Sequence, residues 1–227
     1  MRQATLSRSL RTVSLGVALV GSLIASASQV AAETIFDSTS NTPTGSVSAT
    51  VNGWKAAQFV LPAASGGNTK YGLGSVVLTL ANNPLSTDFA VDIYDSTSGT
   101  AKPKSQVARL VNPQTVVVGN NTFTPGLSFP ELDAGKSYWV VLKGGFDNPS
   151  WSTAGNTGVI SPVSQQGMKT ASTTDAGANW STANASSNPS MMRVNAVAVP
   201  EPSTWAMGLA GLAFAGVTVL RRRRRQG

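Results

Sequence analysis

The chain has 227 residues, a formal net charge of +7 and a charged fraction of only 12%. It contains neither Cys nor His, which excludes disulfides, thiolate or imidazole metal sites, and nucleophilic catalysis with a His base. Residues 1–32 carry +3 and residues 200–227 carry +4, whereas residues 33–199 hold nine basic and nine acidic side chains and are neutral. Because phosphate binding needs clustered cations, this distribution argues against a nucleic-acid partner.

Residues 1–32 have the pattern of a secretory signal peptide. Three Arg precede an apolar run at 13–25, and small residues lead up to Ala32. A run of this length is typical of signal peptides and short for a helix that spans a bilayer. We predict cleavage by signal peptidase after Ala32 and an extracytoplasmic mature protein, with an uncleaved membrane anchor as the alternative.

Residues 33–199 predict one all-β domain. Apolar and polar residues alternate at 74–80, 89–94, 138–143 and 192–198, with weaker candidates at 57–61, 107–111 and 115–118. Alternation with a period of two, bounded by Gly, Pro, Asn and Ser, is typical of strands. We predict an antiparallel β-sandwich, Ig-like or jelly-roll, with a β-barrel as the alternative. The alternation points residues 89, 91 and 93 inward and Asp92 outward.

Leu132, Gly135 and Tyr138 are spaced three residues apart and lead into a predicted strand. This spacing resembles the tyrosine corner of Greek-key sandwiches, in which the Tyr hydroxyl bonds to the backbone a few residues upstream. We therefore expect a structural role for Tyr138.

A longer stretch, 54–142, resembles a domain family. The resemblance lies in a series of short segments, at 54–59, 76–80, 91–94, 108–110 and 132–139. Together they are similar to the choice-of-anchor domains of type R, which are bacterial surface β-domains found with alternative C-terminal anchors. That family has no assigned chemistry to transfer.

Trp139, Trp151 and Trp180 are the candidate glycan contacts. Trp151 and Trp180 lie in stretches rich in Gly, Asn and Ser, which are typical of binding loops, and Trp139 alternates out of phase with Tyr138. A glycan site requires at least one of these rings to be exposed beside Asn or Asp. The alternative is burial, the usual state of large aromatic side chains.

The acidic residues predict neither a catalytic nor a metal centre. Asp88 and Asp92 on one strand would be roughly 13 Å apart, too far for a glycosidase pair unless another strand contributes. Ca²⁺ is the alternative metal because it needs only oxygen ligands, and oxygen-rich segments surround Asp37, Asp95, Asp147 and Asp175. No EF-hand pattern accompanies them, so we predict no cofactor, no metal and no enzymatic activity.

Residues 200–227 predict a membrane-associated tail. Pro200, Glu201 and Pro202 precede Trp205, and an apolar segment at 205–220 is followed by Arg221, Arg222, Arg223, Arg224 and Arg225. A helix over 205–220 spans roughly 24 Å. Trp205 at one interface and snorkelling Arg side chains at the other can complete the crossing, and the Arg cluster directs the rest of the chain outward. On this physics alone, the tail is a simple anchor.

The triplet, the short helix and the Arg cluster, in that order, resemble the PEP-CTERM sorting signal. The resemblance implies export in a Gram-negative bacterium, a transient inner-membrane intermediate, and recognition of Pro200, Glu201 and Pro202 by an exosortase-type transpeptidase. It also implies the outer surface or extracellular matrix as the destination, and an association with exopolysaccharide and biofilm. We expect a non-enzymatic structural or adhesive protein. The alternatives are a carbohydrate-binding module that uses loop Trp residues and, less favoured, a carboxylate glycosidase.

Overall fold

The computed structural model describes residues 32–63, 69–84, 88–96, 102–126, 129–155, 168–186 and 188–199. The predicted signal peptide, the sorting triplet, the predicted helix at 205–220 and the Arg cluster lie outside the described residues. Within the described ranges, no helix is long and apolar enough to span a membrane.

Thirteen strands make up the described domain. In chain order they are β1 (Glu33–Asp37), β2 (Pro43–Ser48), β3 (Lys55–Val60), β4 (Lys70–Leu80), β5 (Ala90–Ser96), β6 (Pro103–Arg109), β7 (Gly119–Phe123), β8 (Glu131–Asp133), β9 (Ser137–Lys143), β10 (Ser150–Ala154), β11 (Lys169–Ser172), β12 (Asn184–Ala185) and β13 (Met192–Val199).

The strands form two antiparallel sheets. The first has the order β1-β13-β4-β10-β2, and β7 and β8 also pair with β4. The second has the order β12-β11-β3-β9-β5-β6. The predicted all-β class with two antiparallel sheets is confirmed, and the four strongly alternating segments fall on β4, β5, β9 and β13. The weaker candidate at 115–118 is not a strand: there the Asn121 side chain accepts from the backbone N–H of Val117.

The main core lies between the two sheets. Leu78 of the first sheet and Phe59 and Val140 of the second belong to one buried cluster. Every second residue of these strands faces the core, because the pleat directs successive side chains to opposite faces of a strand. Burial of this apolar surface is the main term that holds the two sheets together.

The outer face of the second sheet carries a smaller cluster of its own. On β9, Tyr138, Val140 and Leu142 join the main core, whereas Trp139 and Val141 are buried on the opposite face. Residues 173–183, between β11 and β12, contribute to the cover over this face. Strand β9 is therefore buried on both sides, which is why it is an almost continuous apolar run.

The outward face on which Asp92 lies is covered by other parts of the chain. Asp92 does point away from the main core, as its alternation requires, but it is 0% exposed. Lys143 and Arg109 from the neighbouring strands lie against its carboxylate. Alternation assigns a face of the sheet, and it does not show whether another part of the chain covers that face.

The two ends of the sandwich differ in what they carry. Glu33 pairs with Ala196, and Val199 pairs with Lys70, so the described chain enters and leaves at the same end. Strand β4 then runs about 33 Å to the other end, at ~3.3 Å per residue. That far end carries the loops at 49–54 and 144–149.

Candidate functional site

Tyr138 makes the backbone contact that the sequence pattern predicts. Its hydroxyl accepts a hydrogen bond from the backbone N–H of Asp133 at 2.8 Å. Gly135 adopts a φ of 71°, in the left-handed region, and Leu132 is fully buried. Desolvation by burial raises the pKa of Tyr138. This arrangement ties the turn after β8 to β9 and leaves the phenol no evident role toward a ligand.

The structure corrects two of the three candidate glycan contacts. Trp139 and Trp151 are both 0% exposed. Trp151 lies on β10 with its ring in the main core and donates its Nε1–H to the Met191 carbonyl at 2.7 Å. Trp139 donates to the Ser96 hydroxyl at 3.3 Å beneath the outer cover. A sugar needs an open ring face for stacking, and neither indole offers one.

Trp180 belongs to an aromatic–lysine cluster, which consists of Trp54, Tyr94, Trp180 and Lys143. The Trp180 ring centroid lies 6.4 Å from that of Trp54 and 6.4 Å from that of Tyr94. Lys143 Nζ lies 4.3 Å from the Trp54 centroid and 5.2 Å from the Tyr94 centroid. These are cation–π distances, so the cluster already encloses a cation of its own chain.

Asp92 neutralises that cation. Its Oδ2 lies 2.5 Å from Lys143 Nζ, and its Oδ1 lies 3.0 Å from Arg109 Nε. The Lys143 side chain is only 11% exposed, so both partners depend on the pair to offset their desolvation. The hydrogen bond and charge of Asp92 raise the pKa of Arg109. The Asp92 carboxylate is therefore engaged in structural contacts, and Asp88 accepts a hydrogen bond from the backbone N–H of Phe146.

A covering loop, residues 173–180, holds the aromatic side chains in place. Asp175 accepts hydrogen bonds from the Thr173 hydroxyl and from the backbone N–H and side-chain amide of Asn179. These bonds, that from Thr173 foremost, lower the pKa of Asp175 to about 2. Gly177 has a φ of 89° and lies so close to Trp54 that a Cβ there would be 2.5 Å from the ring. Sequence reasoning placed Asp175 and Trp180 in polar stretches typical of loops, but it did not predict that this loop packs on Trp54.

Three of the four acids considered as Ca²⁺ ligands have separate partners. Asp37 forms an ion pair with Arg193 at 2.8 Å, and Asp95 accepts from the backbone N–H of Ser105 at 2.6 Å. Asp175 is occupied within the covering loop. In the part of the chain that the structure describes, no group of three or more acidic side chains could hold a metal ion.

A polar groove of about 390 Å³ opens beside the covering loop. We call it the hydroxyl groove, because most of its lining side chains carry hydroxyls. It runs between β2 and β10 of the first sheet and β3 and β11 of the second. The lining residues are Val47, Lys55, Ala56, Thr153, Thr170, Ala171, Ser172, Ser181, Thr182, Ser186, Asn188 and Ser190. The sequence could not reveal it, since these residues come from distant segments with no motif.

The tail that follows β13 is the part of the chain with a recognised pattern. Residues 198–225 match the family model described as the PEP-CTERM protein-sorting motif. The chain carries a PEP-CTERM sorting motif. The resemblance predicted from the triplet, the apolar segment and the Arg cluster is thereby confirmed. No curated protein matches the chain in sequence.

The PEP-CTERM match begins within the last strand of the described domain. Its first two residues, 198 and 199, are the last two residues of β13. Val199 pairs with Lys70 at the end of the first sheet. The PEP-CTERM motif implies export, sorting to the cell surface of a Gram-negative bacterium and processing by an exosortase.

Proposed function

We propose that this chain is an exported structural or adhesive protein of the cell surface or extracellular matrix, associated with exopolysaccharide or biofilm. The match of residues 198–225 to the PEP-CTERM motif carries this proposal. A β-domain joined to that motif is consistent with a structural or adhesive protein that is exposed at the cell surface. The resemblance of residues 54–142 to choice-of-anchor domains is a prediction that agrees with it.

The proposed path has two processing steps. Signal peptidase removes residues 1–32 by cutting after Ala32. The helix at 205–220 then holds an inner-membrane intermediate, with Trp205 and the Arg221–Arg225 cluster at opposite interfaces. An exosortase recognises Pro200, Glu201 and Pro202 and separates the domain from the tail.

Mass spectrometry of the native protein tests this path. We expect a mature N-terminus at Glu33 and loss of the residues beyond the Pro200–Pro202 triplet. A Glu201→Ala variant is expected to keep its tail and remain in the membrane fraction. A Glu131→Ala variant is the matched control, because it also removes an acidic side chain, but from outside the triplet. A wild-type protein that keeps its full C-terminus in membranes would reduce the tail to a plain anchor.

We also propose that the domain acts without catalysis, cofactor or metal. What supports this is the engagement of the acids that sequence reasoning considered. Asp92 is enclosed with Lys143 and Arg109, and Asp88 supports the loop at Phe146. A carboxylate glycosidase needs a free acid pair about 5–10 Å apart in a cleft.

Glycan binding is the second candidate function, and one observation favours it. A carbohydrate site built on the loop Trp residues is not supported at Trp139 and Trp151, because both are buried. Trp180 packs against Trp54 and Tyr94. The hydroxyl groove offers a different surface for a sugar. Its volume lies within the range of small-molecule sites.

A further inference from the structure

The hydroxyl groove has a rigid frame. Lys55 and Ala56 lie on β3, Thr170 and Ser172 on β11, and Thr153 on β10. Lys55 is directly opposite Ser172 in the β3–β11 register. A site built on paired strands holds its side chains in fixed positions, which lowers the entropic cost of binding.

The lining chemistry suits a ligand with many hydroxyl groups. Ser and Thr hydroxyls each provide one donor and two acceptor sites, and Asn188 adds an amide. Among the apolar residues of the lining, Val47 is partly exposed, whereas Ala56 and Ala171 are buried. A sugar ring presents this same combination, with polar hydroxyls at its rim and C–H groups on its faces.

Lys55 supplies the charge of the groove. It is half-buried, and among the described residues it makes no ion pair and no hydrogen bond. Lys143 is by contrast neutralised by Asp92. The described residues that line the groove include no carboxylate. An ammonium without a partner gains from an anionic ligand, since a hydrogen bond to a charged group is stronger than a neutral one.

We propose that the hydroxyl groove binds an acidic saccharide, with Lys55 contacting a sugar carboxylate and the Ser, Thr and Asn side chains contacting the ring hydroxyls. A phosphate ligand suits the groove less well, because the lining contains one cation and no Arg. This inference rests on the proposed function, since it names the polysaccharide chemistry that a surface protein would meet. It assigns the binding to the groove and not to the Trp side chains.

Isothermal titration of the full chain in detergent tests the charge preference. The probe is a short oligogalacturonate, and the matched control ligand is its methyl ester, which keeps the hydroxyls and loses the charge. We expect measurable binding of the acid form and binding at least about tenfold weaker for the ester, as for loss of a charge-assisted hydrogen bond. Equal binding of the two forms, or no binding of the acid form, overturns the proposal.

Two variants locate the site. Lys55→Gln is expected to weaken oligogalacturonate binding by about tenfold or more. Lys104→Gln on β6, where the side chain is exposed and outside the groove lining, is expected to leave it unchanged. Thr182→Trp fills the groove from its exposed rim and is expected to abolish binding without lowering the melting temperature. Unchanged binding in Lys55→Gln overturns the proposal, while the proposed function itself stands or falls on the processing of the tail.

Discussion

At the scale of single residues, buried polar contacts decide what each predicted residue does. Tyr138 and Asp92 are the two clearest cases, because each makes specific contacts away from water. The spacing of Leu132, Gly135 and Tyr138 predicted the first of these contacts, since the turn and its bond are local in sequence. The partners of Asp92 lie 17 residues from it at Arg109 and on another strand at Lys143. Local pattern therefore could not predict its burial.

Replacement of Tyr138 by Phe removes one buried hydrogen bond and keeps the ring. We expect Tyr138→Phe to lower the free energy of unfolding by about 1 kcal/mol or more, because the Asp133 N–H loses its acceptor. Urea denaturation followed by circular dichroism measures this change. Tyr94→Phe is the matched control and is expected to have little effect, since the Tyr94 ring makes the described contacts. Equal stability of Tyr138→Phe and wild type would show that the corner is not a structural lock.

Removal of the Asp92 charge leaves Lys143 without its neutralising partner. We expect Asp92→Asn to destabilise the domain by about 3 kcal/mol, within the range for breaking a buried ion pair. Asp133→Asn, at an exposed carboxylate, is expected to change stability by less than about 0.5 kcal/mol. Chemical denaturation of both variants gives the comparison. A loss as small for Asp92→Asn as for Asp133→Asn would contradict the structural role of the pair.

At the scale of elements, the strands were predictable where one face is apolar. The alternating segments at 74–80, 89–94, 138–143 and 192–198 correspond to β4, β5, β9 and β13. Strand β2 was missed because it is mostly exposed and carries little apolar pattern. The packing of the covering loop was missed for another reason. Its position depends on contacts with Trp54 and Trp180, and turn chemistry alone does not indicate which surface a turn covers.

Substitution of Gly177 tests whether the covering loop packs on Trp54. We expect Gly177→Ala to destabilise the domain by about 1–3 kcal/mol, since Ala is strained at a positive φ and its Cβ would meet the Trp54 ring. Gly155→Ala is the control, because a Cβ at Gly155 has no neighbour within 4 Å. Thermal unfolding followed by Trp fluorescence compares the two. If both substitutions prove equally mild, the loop does not pack on Trp54 as described.

Asp175 gives the covering loop its pH dependence. Its pKa is lowered to about 2 from 3.8 by the Thr173 hydroxyl and the Asn179 donors. A lowered pKa means that the carboxylate stabilises the folded loop fully above pH ~3.8, and that this stabilisation is lost as the pH falls toward about 2. Titration of the side-chain carboxyl carbon by NMR is expected to show the low pKa, with the amide shifts of Asn179 changing over the same range. A pKa near the ordinary value of Asp would contradict the hydrogen bonding of this loop.

At the scale of the whole molecule, charge and topology distinguish the terminal targeting segments from the β-domain. The net charge of residues 33–199 is zero, so the basic pI describes the two terminal segments. The described domain begins and ends at the same end of the sandwich, where Val199 pairs with Lys70 and the PEP-CTERM match begins. The opposite end presents the exposed side chains of Phe146 and Val51. Attachment at the first end leaves those loops and the long faces of the sandwich free for contacts.

The sorting motif was predictable because its parts are contiguous and ordered, so no tertiary contact is needed to recognise it. The hydroxyl groove was not predictable from the sequence, since Thr153, Ser172 and Ser190 come together only in the folded sheets. For the same reason, the tail was open to sequence reasoning and the ligand-binding chemistry of the domain was not.

The intact mass of the native protein, measured separately for intact cells and for the medium, tests the central claim most directly. Processing at both predicted sites gives a mature chain that begins at Glu33 and ends at or near the Pro200–Pro202 triplet, and this chain is expected outside the inner membrane. A membrane-bound protein whose mass still includes residues 205–220 and Arg221 to Arg225 would contradict sorting by the PEP-CTERM motif.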